Sequence, residues 1–444
     1  MCSRLTADLE QSSGVDVLAC EDVIRAGMAS IGADMLERFL GADRGYRGPV
    51  LVCPAGHSAR FVGYRGKHVH TALGPIRLHR AYYHCVGCRA GFVPRDVDLA
   101  LVGRFATPGL RKMIAVTAAA VPFAAADRLI GVLAGLQIGA KRIERVAEAD
   151  GRDTAQHLHR LADPAITHLP ATTNGQVDQE IMYIAIDGTG VPMVAAATRD
   201  RTGKHPDRRA RTREAKLAAI FTQTCCDADG YPIRDPESTT YTATFDPAAD
   251  FGPLVAAEAR RRGSNHTRQL VVLGDGAPWI WNLATRHWPE ATPIVDIYHA
   301  REHLHDLATI ITTGLPDTHG WLDARLTDLD NGDIESLVHH TEDLLDQLPA
   351  DTAAAAKAAL PYFTTNAHRM RYDYFRSHGF FIGSGVIEAG CKSLAGARLK
   401  LSGMHWNIPG ATGILTLRAE HASNRLDTIW THHHNQTPTT PISA

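Results

Sequence analysis

What this chain lacks narrows its class before any motif is considered. No apolar run approaches the ~20 residues needed to span a bilayer, and the first residues carry no charged-then-apolar leader. Both absences point to a cytoplasmic protein. Cysteine is scarce, with eight among 444 residues, too few for a disulfide scaffold. Cys53, Cys85 and Cys88 nevertheless cluster, while Cys2, Cys20, Cys225, Cys226 and Cys391 are scattered, a pattern of one metal site and separate free thiols. Charge of one sign is also missing. A formal net charge of −2 neither favours nor excludes a polyanionic partner, so the distribution has to be read instead. Residues 60–95 hold seven Lys or Arg and no acid, whereas 315–351 hold ten acids against Arg325 alone.

A chain this long, 44% hydrophobic, exceeds one ordinary core and divides into two to four domains. Residues 1–50 form an N-terminal helical segment. Leu18, Val23, Ile24, Met28, Ile31, Met35, Leu36 and Leu40 recur there near helical spacing, which predicts a packing or dimerising helix over 15–40. Residues 51–100 read as a zinc ribbon. Cys53-Pro-Ala-Gly-His57 and Cys85-Val-Gly-Cys88 are two turns presenting soft ligands, separated by about thirty residues of hairpin character, and together they make a tetrahedral structural Zn²⁺ site. Cys53, His57, Cys85 and Cys88 are the expected ligands, with His84 as a substitute fourth. Arg60, Arg65, Lys67, Arg77, Arg80 and Arg89 interleave with Phe61, Tyr64, Tyr82, Tyr83 and Phe92, a mixture suited to phosphate contact and base stacking; a solvated basic face is the plainer alternative. Residues 101–165 read as helix, short turn, helix. This is a helix-turn-helix outline with Lys141, Arg142 and Arg145 on the outer face of its second helix. The segment 164–176 is the best linker.

The stretch Ile181-Met-Tyr-Ile-Ala-Ile-Asp187-Gly-Thr-Gly-Val-Pro-Met-Val194 reads as a buried strand that ends on a carboxylate and turns over on glycines, a hairpin with an acid at its rim. Next comes a loop over 199–216 with eight bases against three acids, including Arg208, Arg209, Arg211 and Arg213; such a loop suits a polyanionic substrate. Gln269-Leu-Val-Val-Leu-Gly274-Asp275 is a second strand ending on an acid, and Ile294-Val-Asp296-Ile-Tyr-His299 a further strand entering a helix. Strands alternating with helices give an α/β class. Residues 178–300 and 381–430 are the two parts of that core. Residues 301–380 are an all-α, acidic insertion, and 431–444 a disordered tail. In the second part, Gly383-Ser-Gly385-Val-Ile-Glu388 opens a helix with Lys392 one turn beyond Glu388, followed by Arg398 and Lys400.

Three acids thus stand at element ends: Asp187, Asp275 and Glu388. Gathered carboxylates repel one another unless a cation compensates, and hard oxygen ligands select Mg²⁺ or Mn²⁺. Two such ions would serve phosphoryl transfer. Two rival chemistries are visible. Asp-Gly-Thr-Gly is also a sugar-kinase phosphate-loop pattern, and His299-Ala-Arg-Glu-His303 fits a zinc-protease pattern.

The segments Ile-Asp187-Gly-Thr-Gly-Val-Pro, Gly-Asp275-Gly-Ala-Pro-Trp-Ile-Trp-Asn, Val-Asp296-Ile-Tyr-His299 and Gly-Ser-Gly-Val-Ile-Glu388-Ala-Gly-Cys-Lys392 resemble those of bacterial insertion-sequence transposases of the Kra-type group, related to the Mutator-like transposases. The resemblance covers nearly the whole chain. It implies a ribonuclease-H-like core with an all-α insertion, preceded by a zinc ribbon and a helix-turn-helix-like region. It implies an Asp187, Asp275, Glu388 triad holding two Mg²⁺ (or Mn²⁺), with His299 positioning DNA or a catalytic group. DNA is the implied partner, both terminal inverted repeats and target, in a homodimer or higher assembly of a nucleoid-associated bacterial enzyme. Arg65, Lys67, Arg77, Arg80, Lys141, Arg142, Arg208, Arg209, Arg211, Arg213, Lys392, Arg398 and Lys400 are the expected DNA contacts, and Gly188 and Gly190 the clearance for a DNA backbone. A catalytically inactive, transposase-derived DNA-binding protein is the alternative.

Overall fold

The computed structural model describes residues 16–163, 181–203, 209–315, 320–428 and 430. The linker 164–176, Arg208 and the tail from 431 lie outside the described residues. The chain forms two compact units, one of residues 1–151 with 424–444, the other of residues 152–423.

In the first unit the helix Val17–Gly41 is N-capped by Asp16, which accepts from Ala19 N at 3.2 Å. Four antiparallel strands follow in the order β1-β2-β3-β4: β1 (Val50–Val52), β2 (Ser58–Thr71), β3 (Gly74–Cys85) and β4 (Ala90–Phe92). Strict alternation along β3 puts Ile76, Leu78 and Arg80 on the covered face and Pro75, Arg77 and His79 in solvent. Two small cores result. Ala33 of the helix packs with Val69, Ile76, Leu78 and Leu101, and Cys53 and Cys85 pack with Ala59, Ala81 and Tyr83. The helices Pro108–Ala120, Phe123–Ala134 and Ala140–Ala162 complete the sequence of elements. Phe123–Ala134 ends on Gly135 at φ 68°, a left-handed C-cap that glycine favours. Asp127 then receives the backbone N–H of Gly139 at 2.9 Å and holds the turn into the next helix.

The second unit is built on five strands in the order β11-β10-β5-β6-β9: β5 (Ile181–Pro192), β6 (Thr212–Gln223), β9 (Thr240–Thr244), β10 (Gln269–Gly274) and β11 (Thr292–Val295). A two-stranded β7 (Cys225–Cys226) and β8 (Pro232–Ile233) ribbon lies between β6 and β9 in the chain. The strands β5, β6 and β9 are antiparallel neighbours, while β10 and β11 run parallel to β5. The apolar start of β5 is buried residue after residue, as expected of a central strand covered on both faces. Helices Ala248–Arg261, Pro278–His287 and Ile297–Gly314 supply the connections around β10 and β11. A group of short helices from Trp321–Asp330 to Tyr372–Ser377 separates them from the helix Gly385–Gly390.

One expectation is corrected here. β5 does not turn at Gly188 and Gly190 but stays paired with β6 as far as Pro192 opposite Thr212, and neither glycine takes a positive φ. Space explains the glycine at 188: a Cβ there would stand 2.5 Å from Glu214 Oε1 on β6. The residue gives room to a neighbouring side chain.

Candidate metal centres

The carboxylate site follows from strand register. Ala185 on β5 is paired with Leu273 on β10, and Gly274 on β10 with Val295 on β11. Continuing each register by a step or two sets Asp187, Asp275 and Asp296 in one row across three adjacent parallel strands: Asp275 and Asp296 directly follow β10 and β11, while Asp187 lies within β5, just beyond the end of its pairing with β10. That edge is where an open α/β sheet exposes groups to a ligand. The Asp275-Gly276 turn is fixed twice over. Asp275 Oδ1 accepts from Ala277 N at 2.9 Å, and Gly276, at φ 90°, leaves the space in which a Cβ would meet the Tyr362 ring at 2.7 Å.

Asp296 has a different task from its neighbours in the row. It is fully buried, its Oδ1 caps the helix Ile297–Gly314 by accepting from Tyr298 N at 2.6 Å and His299 N at 3.0 Å, and its Oδ2 accepts from Ser384 N. Burial pushes its carboxyl up, yet the hydrogen bonds from His299 and Ser384 outweigh burial and hold it below its ordinary value. Asp296 thereby ties the strand row to the turn that launches Gly385–Gly390, the helix carrying Glu388. A carboxylate with both oxygens occupied in this way is a brace. Donor atoms of Asp296, His299 and Glu388 lie within 4.8 Å of one another.

Glu388 reaches the row from the other side. Cys391, one turn beyond it, donates from Sγ to Asp187 Oδ2 at 3.2 Å, so the face of the helix that carries Glu388 is turned towards Asp187. Lys392 Nζ lies 3.6 Å from Glu388 Oε2 and is exposed. After Gly390 the helix widens into a π-helical segment, Cys391–Gly396, and such bulges recur at functional sites. The electrostatics are those of crowded acids around one cation. Burial is the main force pushing the Asp187 carboxyl up, and the charge of Asp275 adds to it, against hydrogen bonds from Cys391 and Gly188. His299 Nδ1 stands 3.7 Å from Asp296 Oδ1. Asp296, with Asp275 and Glu302 behind it, raises His299 to about 9, leaving the imidazole cationic at neutral pH. Burial and the Asp187 carboxylate push the Cys391 thiol up, so it remains a neutral donor.

The soft-ligand centre is in the first unit. Cys53, His57, Cys85 and Cys88 each offer a donor, all within 4.8 Å of one another. Cys53 Sγ is 3.4 Å and His57 Nδ1 3.2 Å from Cys88 Sγ. The tight β1–β2 turn bonds Cys53 N to His57 O at 2.7 Å, which brings the two residues together despite the missing second cysteine, and His84 stands outside the group. Desolvation raises Cys53, but hydrogen bonds from the His57 backbone and from Cys88 outweigh it and bring the thiol down to about 7. Three sulfurs and one imidazole fit Zn²⁺.

Of the expected DNA contacts, several are exposed and several are not. Arg65 stacks over the Tyr82 ring at 3.4 Å, and Arg77 is exposed. Lys141 and Arg142 are exposed at the start of Ala140–Ala162, as is Arg145. Arg209 and Arg211 are exposed, as is Lys400, which donates to Thr189 Oγ1. Arg80 is corrected: it is buried against Asp96, at 2.6 Å, because it shares the covered face of β3 with Ile76 and Leu78. Lys67 joins the same carboxylate at 3.1 Å and also donates to Leu101 O. Arg398 is fully buried and lies over the Trp406 ring at 5.2 Å, so it too faces the interior. Arg213 is engaged by Ala197 O at 2.7 Å and Asp200 at 2.6 Å. His303 stacks on Tyr362 with centroids 3.7 Å apart, and among the described residues it shares no ligand cluster with His299. The protease pattern is therefore not assembled as a site. Sequence reasoning missed Cys391, although its i+3 spacing from Glu388 put both on one helical face. It also missed Asp96, the first acid after the basic run.

No protein-family model matches the chain, and no curated protein matches it. Among solved structures, it is similar to the Drosophila P element transposase strand transfer complex, at 12% identity and a TM-score of 0.23, over 74% of this chain and 81% of that one. So low a score leaves the fold and the family to be argued from the residues themselves. No helix among the described residues is long and apolar enough to cross a membrane.

Proposed function

We propose that the chain is a DNA transposase of the Kra-type insertion-sequence group, with a ribonuclease-H-like core, cutting element ends and joining them to target DNA. What supports this reading is the placement of Asp187 and Asp275 near the helix that carries Glu388; among the described residues the three acids do not form one ligand cluster, Glu388 grouping instead with Asp296 and His299. Asp187 and Asp275 share one register on adjacent strands, and the helix bearing Glu388 is tied to Asp187 by the Cys391–Asp187 hydrogen bond. The strand order, with three antiparallel strands followed by two parallel to the first, is the arrangement such a core requires.

Asp187, Asp275 and Glu388 would hold Mg²⁺ (or Mn²⁺). The donor set fits, since all three supply hard carboxylate oxygens and burial with mutual repulsion leaves Asp187 short of positive charge. When bound, the ions supply charge neutralisation and activation of a water or a 3′-hydroxyl. The chain's own residues do the rest. Cys391 and Gly188 N–H orient Asp187, Asp296 fixes the helix start and the Glu388 turn, and cationic His299 offers its charge to a phosphodiester beside the acids. In the first unit, Cys53, His57, Cys85 and Cys88 would hold a structural Zn²⁺. Arg65 and Arg77 on the sheet present cations to DNA, as do Lys141 and Arg142 on the helix. Arg142 and Arg145 line a cavity of about 470 Å³ and give that helix a basic surface suited to backbone phosphate, while Arg104 and Arg111 on the same cavity are paired with Asp150. Arg209, Arg211, Lys392 and Lys400 add cations in the second unit. The partners in this reading are terminal inverted repeats and target DNA, bound by a homodimer in the bacterial nucleoid.

The test is a cleavage and joining assay on duplexes carrying the inverted repeats that flank the gene, with Mg²⁺ or with chelator. The reading predicts metal-dependent cuts at the repeat ends. Binding without cutting in Mg²⁺ and Mn²⁺ would replace it with an inactive, transposase-derived DNA-binding protein.

A further inference from the structure

The helix Val17–Gly41 has apolar residues on two opposite faces, and the fold uses only one. Ala33 packs into the core of the four-stranded sheet with Leu40 beside it, and Glu37 on the same side accepts from Arg77 N at 2.8 Å. Half a turn away, Val17, Ile24, Met28, Ile31, Met35 and Phe39 fall within about 80° of one another at ~100° per residue. Five of these six are large apolar side chains more than half exposed, from Ile24 at 53% to Phe39 at 77%. The stripe runs from Val17 to Phe39, about 33 Å at a rise of ~1.5 Å per residue. Ile24, Met28, Ile31 and Met35 follow the alternating three-and-four spacing of a two-helix seam.

We infer that this stripe pairs with the same stripe of a second copy of this chain, antiparallel about a two-fold axis near the middle of the helix. Charge selects both occupant and direction. Setting Met28 against Ile31 of a second copy also sets Ile24 against Met35, and Glu21 against Arg38. Glu21 and Arg38 are exposed, and neither makes an ion pair among the described residues. A parallel pairing in register instead opposes Glu21 to Glu21 and Arg38 to Arg38, which is repulsive. The contact is extended at its flank, where Arg25 Nη1 donates to Val132 O at 3.0 Å and brings exposed Val132 and Leu133 to the border of the stripe. Six side chains per copy, at roughly 100 Å² of accessible surface each, bring the pairing to about 1,200 Å² in total, where stable interfaces begin.

The experiment is a concentration series of the full chain by sedimentation velocity across the micromolar range, without DNA, so that its outcome is independent of what the carboxylate site does. The wild-type chain should dimerise, and Met28→Asp/Met35→Asp should be monomeric with an unchanged circular dichroism spectrum, because both positions are exposed in the single chain. Glu21→Arg should weaken the dimer by about tenfold or more, since two symmetry-related attractions become repulsions. The double exchange Glu21→Arg/Arg38→Glu should return it to within about threefold of wild type. A wild-type chain monomeric throughout, as it would be if the stripe were covered within one molecule, overturns the inference. So does a Met28→Asp/Met35→Asp chain that dimerises like wild type, or a double exchange no stronger than Glu21→Arg alone.

Discussion

Asp296 and His299 show how one buried carboxylate can hold an imidazole and two separate chain segments in place. Asp296 is wholly buried, both its oxygens accept backbone N–H groups, and the His299 ring stands 3.7 Å from it. The cation beside it is held in its protonated state to about pH 9, against 6.5 for free histidine. The sign of the resulting pH dependence follows. Below pH 6.5 the folded and unfolded chains both carry this proton and the contribution to stability is complete; as pH rises through 9 the folded chain loses it and the contribution vanishes. His299 is 30% exposed, so solvent screening reduces the effect to about 1–2 kcal/mol. Urea unfolding in chelator should therefore show stability falling between pH 6.5 and 9, and His299→Asn should flatten that slope. An unchanged slope in the variant would detach His299 from Asp296.

Among the elements, β3 is the clearest case of alternation deciding a residue's fate. Arg77 and Arg80 look equivalent in a basic run, but a period of two puts Arg80 with Ile76 and Leu78 on the covered face. Its charge is met there by Asp96. Asp96→Ala would leave Arg80 and Lys67 uncompensated beside the core, and should lower the unfolding free energy of the first unit by roughly 3–5 kcal/mol in urea titration. A loss under about 1 kcal/mol would mean that solvent reaches the pair. The same sheet carries the soft-ligand centre, in which a bound Zn²⁺ would tie β1–β2 to β3–β4. The full chain should retain one Zn²⁺ per molecule by elemental analysis, and Cys85→Ser should lose the ion together with the near-ultraviolet signal of Tyr83. Wild-type protein purified without zinc yet showing that signal intact would remove the structural role.

These elements also show what a sequence can disclose. The acids Asp187 and Asp275 were legible because each closes a buried apolar run, and Glu388 because a glycine turn opens its helix. The Cys53–His57 turn and Cys85–Cys88 were legible from spacing alone. The strand through Gly188 and Gly190 was misread because glycine before a new apolar run is usually a turn, whereas here the glycine at 188 yields space to Glu214 on a neighbouring strand. The burial of Arg398 and the Cys391–Asp187 contact depend on partners about 200 residues apart or on tertiary packing, and local pattern does not encode them.

At the scale of the whole molecule, chain order and spatial order diverge in a way that gives the site its form. Asp187 and Asp275 come from strands adjacent in the sheet but 88 residues apart. Glu388 arrives only after the helices from Trp321–Asp330 to Tyr372–Ser377. Loss of any one acid should therefore abolish chemistry while leaving the exposed cations of both units to bind DNA. The most direct measurement is made on Asp187→Asn, comparing cleavage of inverted-repeat DNA in Mg²⁺ with binding to the same duplex in chelator. The account predicts binding within about threefold of wild type and cleavage lowered by at least ~1,000-fold, the scale of removing a group that acts on the reacting atoms. A variant that still cuts at a wild-type rate would contradict it.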